Sequence, residues 1–500
     1  MLAVVLLCAT GPAVANDGAS AESERSQRID AHINDRLQAT SIPGASVAVV
    51  RGGDTVHLAG YGKAGPVGDP VTADTPFLIG SVSKPFTAIA VFQLVHEGRI
   101  NLGDPVGPYL EPTLGDDADA FEGMTIEHLL NHRSGMPMTL GLPGTAPVRT
   151  ADDALQRRVA DLARAHAPER APGQAYEYSN ANYILLAAVV EQVTGEAFAD
   201  YLRERVFDPL AMTASFATNA SPRAEGLATG HEAWFGLWRP SDQPYDPAGA
   251  AMGYMGSTAR DLAAFLDAQL SGHEALPVSA VEVVDRQATP TGWDVPLERS
   301  IVDGWFIDEV AGHRTVSHAG SIGDYAAHVI MVPGADLGIA VMQNASAFIA
   351  AGHEGQYALS LGLLDLLLDV ESERSAPSPV MTVFLPALAW GLGVLVIANA
   401  VRYLVRGRAR AAASHASWRF VAVREVGPVL AYLGLGLLAL VLVPLLAGVR
   451  LETAQIFYPD LAWGLVFTGY AAIGWSVARV ALRVWAVFQS RSADHQRPAG

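Results

Sequence analysis

The chain mixes apolar and polar positions along most of its length, but its first fifteen residues and its last quarter are almost continuously apolar. Residues 1–15 read MLAVVLLCATGPAVA and lead directly into a polar segment. Ala13 and Ala15 fit the small-x-small rule for cleavage of a secretory signal peptide. We therefore predict that residues 1–15 are a signal peptide; the competing interpretation is a buried N-terminal strand.

Three apolar runs follow one another in the last quarter of the chain. Residues 380–401 and 426–449 contain 22 and 24 residues without a charge, and residues 461–478 contain 18. A helix of about 20 apolar residues crosses a bilayer, and the third run is longer if Arg479 extends its charged end to the membrane surface. We predict a three-helix transmembrane region at 380–488, with spans 380–401, 426–449 and 461–482, rather than a buried helical bundle.

The placement of arginines predicts the orientation of these spans. The loop between the first two spans holds six arginines against one acid, Glu425, and positively charged loops remain in the cytoplasm. This loop and the tail at residues 489–500 are therefore predicted to be cytoplasmic, and everything before residue 380 to lie outside. We expect a multi-pass protein of the bacterial inner membrane, with the lipid bilayer as a partner.

The mixed region at residues 20–372 alternates helical and strand-like patterns without a regular βαβ rhythm, so we predict an α+β domain with an antiparallel sheet. Gly52 and Gly53 separate two strand-like runs, which indicates a hairpin. A Pro-Ser-Pro sequence within residues 373–379 marks the linker to the spans. The other predicted elements are helices at residues 20–39, 81–97, 125–132, 182–194 and 357–370, and strands between residues 317 and 344.

Composition narrows the possible partners. Half of the residues are apolar and only 17% are charged, whereas soluble chains usually carry about 25%. The net charge is −18, yet the region from residue 380 onward holds eleven arginines against four acids. The body of the chain is therefore strongly acidic, which argues against nucleic-acid binding. The single cysteine, Cys8, permits no disulfide within the chain and no Cys-rich metal site.

Ser81 and Lys84 are the first candidates for covalent chemistry. They are three residues apart at the predicted start of a helix, so both side chains lie on one face of its first turn. A buried lysine with a lowered pKa can accept the serine proton. Only Lys63 and Lys84 are lysines among 33 basic residues, and arginine cannot supply a deprotonatable amine. The alternative is an N-capping serine beside a surface lysine.

Tyr178 and Asn180 follow a Pro-Gly turn in the sequence PGQAYEYSNANY. A tyrosine in such a loop can relay a proton when a nearby cation lowers its pKa. The asparagine amide can orient a substrate carbonyl or hold Lys84. An ordinary turn followed by a helix cap is the alternative.

His318, Gly320 and Ser321 stand at the end of a predicted strand. The glycine allows another backbone segment or a ligand to approach closely. A neighbouring N–H can then join that of Ser81 in an oxyanion hole. A plain turn is the alternative.

Together and in this order, the three motifs resemble those of the penicillin-recognising serine hydrolases: class C beta-lactamases, DD-peptidases, D-aminopeptidases and related esterases. The segments FLIGSVSKPFTA, MTIEHLLNHRSGMP and PGQAYEYSNANY are also similar to this family, and the resemblance covers residues 25–370. It implies a class C beta-lactamase/DD-peptidase-like α+β fold, in which an antiparallel sheet flanked by helices adjoins an all-helical subdomain. The active site would lie between the two.

The resemblance also implies a reaction. Ser81 would be acylated, Lys84 and Tyr178 would share the proton transfers, and water would hydrolyse the acyl-enzyme. The substrate would be a small-molecule or peptide acyl compound, which is an ester, an amide, a D-amino-acid peptide or a beta-lactam, and no cofactor is implied. The implied substrate-binding residues are Asn180, His318, Gly320 and Ser321.

His318 departs from the beta-lactamase pattern, in which lysine usually stands at this position. An imidazole with an unperturbed pKa of about 6.5 is mostly neutral at neutral pH. We therefore expect a preference for uncharged acyl substrates, and peptidase or esterase chemistry stays open beside beta-lactam hydrolysis.

Two other functions stay open: an acylated beta-lactam sensor, and a non-catalytic binding protein of the cell envelope. The loop and tail predicted to be cytoplasmic are short for a signalling effector, and the serine, lysine and tyrosine are all present. His128 and His132 have the spacing of a zinc helix, but Leu129 stands where zincins place glutamate. We therefore predict structural packing for both histidines and no metal site.

Overall fold

A computed structural model of the chain describes most of the predicted hydrolase domain and all three apolar runs. The predicted signal peptide and all but the last residue of the linker lie outside the described residues. The described residues are 16–65, 68–144, 147–150, 152–165, 170–217, 226–284, 286, 289–294, 298–347, 355–370, 379–407, 425–448 and 450–494.

The strands include both arms of the predicted hairpin and both predicted strands after residue 325, so these predictions are confirmed. The strands are β1 Gly44–Arg51, β2 Asp54–Gly62, β3 Phe77–Leu78, β4 His231–Trp234, β5 Leu237–Pro240, β6 Gly256–Ser257, β7 Thr289–Asp294, β8 Glu298–Val302, β9 Trp305–Val310, β10 His313–Ser321, β11 Ala326–Val332, β12 Leu337–Gln343 and β13 Ala345–Ser346.

The helices extend from the N-terminal side of the domain to the end of the third apolar run. They are α1 Asn16–Thr40, α2 Ser83–His96, α3 Gly107–Leu114, α4 Ile126–Leu130, α5 Ala154–Ala165, α6 Asn180–Thr194, α7 Phe198–Leu202, α8 Ala259–Ser271, α9 Ala280–Val283, α10 Ala358–Leu367, α11 Leu385–Gly407, α12 Gly427–Leu437, α13 Val443–Leu446, α14 Leu451–Phe457 and α15 Pro459–Asp494.

Eight strands form one antiparallel sheet in the order β2-β1-β12-β11-β10-β9-β8-β7. Side chains alternate between the two faces of a strand, so both faces of β1 carry apolar residues. Val47 and Val49 pack in one core with Ile33 of α1 and Leu363 of α10. Ala48 belongs to the larger core on the opposite face, which also contains residues of α2 and α8.

The larger core continues into a group of helices, α3 to α7, and the described residues from Gly107 to Leu202 include no strand. Leu110, Leu129, Val159, Leu185 and Tyr201 contribute one buried side chain from each of these helices. Helix α2 therefore packs between the sheet and the helical group. This arrangement confirms the predicted α+β fold class and places the start of α2 where the two parts meet.

Three helical segments are long and apolar enough to cross a membrane: Val380–Arg406, Gly427–Leu446 and Pro459–Trp485. They coincide with the predicted runs. The third segment extends beyond the uncharged run at residues 461–478, and its Arg479 is buried with Nε 3.0 Å from the Glu425 carboxylate. Arg483 lies 3.2 Å from the same carboxylate. Glu425, at the start of the second span, thus neutralises positive charge near the end of the third span.

Arg158 and Asp246 form a buried ion pair in which Nη2 donates to Oδ2 at 2.8 Å. The side chains are 2% and 4% exposed. The pair joins α5 to the segment that precedes the helical turns at Pro247–Tyr254. Removing one partner of such a pair leaves the other charge buried and uncompensated.

We expect Arg158→Met to lower the free energy of unfolding by about 3–5 kcal/mol. The double variant Arg158→Met/Asp246→Leu should recover most of this loss, because it leaves no lone charge. Arg260→Met is the matched control: Arg260 pairs with Asp74 on the surface and should contribute less than about 1 kcal/mol. Denaturant unfolding followed by tryptophan fluorescence measures all three. Equal losses at both pairs would contradict the prediction.

Candidate active site

Ser81 lies in a tight turn, Gly80–Val82, that leads into α2, and not on the first turn of the α-helix as predicted. Gly80 has a φ of +54°, a conformation that favours glycine and starts the turn. The Ser83 hydroxyl donates to the Gly80 carbonyl at 2.8 Å, which holds the turn against the helix. Ser81 consequently stays partly exposed while its neighbours Val82 and Ser83 are buried.

Lys84 is fully buried and directed at this turn. Its Nζ lies 3.0 Å from Ser81 Oγ, 2.8 Å from Asn180 Oδ1 and 2.6 Å from the carbonyl oxygen of Met252. Burial holds the pKa of Lys84 well below its ordinary value of 10.5, because the protein interior disfavours the charged form.

These contacts match the hydrogen-bonding capacity of a neutral amine. Asn180 Oδ1 and the Met252 carbonyl can only accept, so they take the two N–H groups that a neutral amine offers. The remaining lone pair then faces the hydroxyl of Ser81, which can donate. The arrangement prepares Lys84 to remove the serine proton.

Tyr178 makes a side-chain hydrogen bond with Ser81. Desolvation by the surrounding protein raises the pKa of Tyr178 above its ordinary value of 10.0, and the hydrogen bond to Ser81 offsets this only in part. The expected lowering of this pKa by a nearby cation is not found, because desolvation is the dominant effect even though Lys84 lies 4.9 Å from the ring centroid. Tyr178 is therefore a neutral phenol that can donate a proton.

His132, for which only structural packing was predicted, packs against the tyrosine loop. Its ring stacks on Tyr178 at 4.3 Å between centroids. Its Nδ1 accepts from the Ser179 backbone N–H at 3.1 Å and from Asn182 Nδ2 at 3.0 Å. Burial lowers the pKa of His132 well below 6.5, so the imidazole is neutral. The only sequence signal was its place in the family-like segment MTIEHLLNHRSGMP.

The two histidines of the rejected zinc pattern contact different residues. The Thr125 backbone N–H donates to His128 Nδ1 at 3.3 Å, whereas His132 packs against the tyrosine loop. Within the described ranges, no three His, Cys, Asp or Glu side chains are grouped so that they could hold a metal ion.

Two glycines bring β10 against the serine turn. A methyl group added to Gly320 would lie 2.8 Å from the backbone nitrogen of Ser81 and would collide with the Ile79 carbonyl. A methyl group on Gly80 would collide with the backbone nitrogen of Ser321. The backbone nitrogens of Ser81 and Ser321 therefore lie on neighbouring segments that only glycine permits to approach so closely. Two such N–H groups can stabilise a developing oxyanion.

His318 and Ser321 lie on the same strand at the edge of the site. His318 is 1% exposed, and its Nδ1 donates to the Ala319 carbonyl at 2.8 Å. Its ring packs 5.1 Å from that of Phe306, which in turn lies 6.5 Å from the Tyr178 ring. The Ser321 hydroxyl shares a hydrogen bond of 2.7 Å with that of Ser346. All seven predicted site residues thus belong to one region of the molecule.

The fold, with a serine, a lysine and a tyrosine brought together at one site, is that of the beta-lactamase-fold serine hydrolases. The beta-lactamase family model matches residues 29–362, and the chain belongs to this family, whose members are generally serine hydrolases. The protein flp of Staphylococcus aureus (strain N315) is 27% identical over 336 residues, which are 64% of each chain. The chain therefore covers less than two thirds of the length of that relative.

Solved structures show the same fold. An octameric penicillin-binding protein homologue from Pyrococcus abyssi superimposes with a TM-score of 0.58 at 25% identity, covering 71% of this chain and 79% of its own. A class C beta-lactamase superimposes with a TM-score of 0.57 at 20% identity, covering 72% of this chain and 99% of its own. The predicted class C beta-lactamase/DD-peptidase-like fold is confirmed.

Proposed function

We propose that the protein is a membrane-anchored, extracytoplasmic serine hydrolase that acts through an acyl-enzyme on Ser81. The observation that carries this proposal is the buried Lys84 amine, which lies 3.0 Å from Ser81 Oγ and also meets Asn180 Oδ1 and the Met252 carbonyl, and whose pKa is lowered by burial.

In the proposed acylation, Ser81 Oγ attacks the substrate carbonyl carbon while its proton passes to Lys84 Nζ. The N–H groups of Ser81 and Ser321 donate to the oxyanion that forms. When the intermediate collapses, the bond to the leaving group breaks and Tyr178 gives that group a proton. Lys84 then returns its proton to Tyr178. Water attacks the acyl carbon in a second round, releasing the acid and restoring the Ser81 hydroxyl.

The substrate class proposed is an acyl compound: an ester, an amide, a D-amino-acid peptide or a beta-lactam. The runner-up is an acylated beta-lactam sensor, which would form the same acyl-enzyme and not release it. The lifetime of the acyl-enzyme, measured by mass spectrometry on the full chain in detergent, separates the two. Acylation by a beta-lactam that persists, with no turnover of any ester, amide or D-peptide, would favour the sensor.

The orientation of the spans gives a further prediction. A reporter that is active only outside the cytoplasm should be silent when fused after Gly500 and active when fused at Ser378. The arginine-rich loop between the first two spans is the reason, because positive loops are retained inside. Fusions in both positions are compared at equal expression, and an active reporter after Gly500 would refute the proposed topology.

We propose that His318 lies beside bound substrate and selects against carboxylates, because an imidazole, unlike a lysine amine, provides no permanent charge. His318→Lys should raise kcat/KM for a carboxylate-bearing substrate, relative to its uncharged analogue, on the order of 10-fold at neutral pH. His313→Lys, at the opposite end of the same strand, is the control. An unchanged ratio in His318→Lys would show that this position does not contact the carboxylate.

A further inference from the structure

The short helix α14, which connects the second and third spans, packs against the hydrolase domain. Thr453 Oγ1 donates to the Pro143 carbonyl at 3.1 Å, and Gln243 Nε2 donates to the Ile456 carbonyl at 3.0 Å. Thr453 is only 2% exposed. The connector is therefore held on the domain by two hydrogen bonds from different loops.

One rim of the active-site cleft, the loop at residues 137–144, touches this helix. A methyl group on Gly141 would lie 2.6 Å from the Ala181 nitrogen, directly beside Asn180. Three residues further, a methyl group on Gly144 would lie 3.0 Å from Ile456 Cδ1. The loop thus passes from the asparagine of the site to the side chain of Ile456.

The opposite rim touches the same side chain. Gly323 follows Ser321 by two residues in the turn between β10 and β11, and a methyl group on it would lie 2.8 Å from Ile456 Cγ2. Ile456 therefore contacts both rims at once: the helical part of the domain through Gly144, and the sheet through Gly323.

The residues that directly follow α14 also contact the domain and the first span. The Phe235 backbone N–H donates to Asp460 Oδ2 at 2.7 Å, and Trp390 Nε1 of the first span donates to the Asp460 carbonyl at 2.8 Å. Tyr458 packs with Ala347 and Trp238 in a small core. These contacts hold α14 in place against the domain.

We propose that α14 is a wall of the substrate cleft, with Ile456 as the specificity-determining residue that limits how far a substrate group extends between Gly144 and Gly323. This inference rests on the proposed hydrolase function. If this inference is correct, the membrane region forms part of the substrate site. The preferred substrates are then acyl compounds in which the group directed at Ile456 is small. A longer group directed there meets the Ile456 side chain before it reaches solvent.

The test uses the full chain in lipid nanodiscs and two series of phenyl esters that release a coloured phenol. One series lengthens the acyl chain from acetyl to octanoyl; the other keeps acetyl and enlarges the phenol. Ile456→Ala should raise kcat/KM for the longest member of one series, relative to its shortest, by a factor on the order of 10, as expected when pocket methyl groups are removed. Ile456→Phe should lower the same ratio.

The control is Leu446→Ala, at the end of the second span, because this side chain is 77% exposed in the structure and should leave both ratios unchanged. Ile456→Val removes one methylene and preserves packing, so it tests the trend if the alanine variant folds poorly. Unchanged ratios in both series for Ile456→Val and Ile456→Phe, with hydrolysis still dependent on Ser81, would overturn the inference alone. No Ser81-dependent hydrolysis of any ester, amide or D-peptide by the wild type would overturn the proposed function instead.

Discussion

Ser81→Ala should abolish hydrolysis and abolish labelling by a fluorophosphonate probe. We expect turnover to fall on the order of 10⁴-fold or more, because no acyl-enzyme can form without the hydroxyl. The loss should be in kcat rather than in substrate binding, since Asn180 and the segment around Ser321 remain in place. Steady-state kinetics on the full chain, together with mass spectrometry of the labelled protein, measure both effects.

The matched control is Ser271→Ala at the exposed end of α8, where the hydroxyl donates only to nearby backbone carbonyls. This variant should keep full labelling and full turnover. Retention of the label by Ser81→Ala, at any other serine, would remove Ser81 from its assigned role and the proposed mechanism with it.

Lys84→Arg should be nearly as damaging, although it preserves a positive charge. Arginine stays protonated and cannot accept the Ser81 proton. We expect the acylation rate to fall by a factor on the order of 10² or more. A guanidinium also does not fit the space around Lys84, because this side chain is fully buried and its amine meets two acceptors within 2.8 Å. Stopped-flow measurement of the first turnover isolates this step.

The pH profile gives a second measurement on Lys84. Since burial lowers its pKa well below 10.5, the wild-type amine becomes neutral as the pH rises through that lowered value. Acylation by the wild type should therefore increase with pH over this range and then level off. The acylation rate of Lys84→Arg should not show this rise with pH, because a guanidinium does not titrate in that pH range.

Lys63 supplies the control because it is the only other lysine in the chain. It is exposed, and Lys63→Arg should change neither the acylation rate nor its pH profile. Lys84→Met removes the charge. Comparing the thermal unfolding of Lys84→Met and Lys84→Arg shows whether loss of folding explains the loss of acylation. Near-normal acylation by Lys84→Arg would mean that charge alone matters at this position.

Local pattern was enough to predict several parts of the molecule. The turn at Gly52 and Gly53 between two strand-like runs predicted the β1–β2 hairpin, because strand periodicity and turn chemistry are properties of neighbouring residues. The apolar runs predicted three helices long and apolar enough to cross a membrane for the same reason, since length and hydropathy suffice. The spacing of Ser81 and Lys84, with lysine used so rarely, pointed to a chemical pair within one turn. Their catalytic roles stay predictions.

Only the tertiary structure decided what surrounds that pair. The Met252 carbonyl that binds Lys84 is 168 residues away and is a backbone atom, which no side-chain pattern reveals. His132 supports Tyr178 through ring stacking and through a hydrogen bond to Ser179, contacts that require α4 and α6 to pack together. Ile456 lies against Gly144 and Gly323, although it is more than 300 residues along the chain from Gly144. Folding places such distant groups together, and it is this proximity, with the burial it brings, that sets their pKa values and contacts.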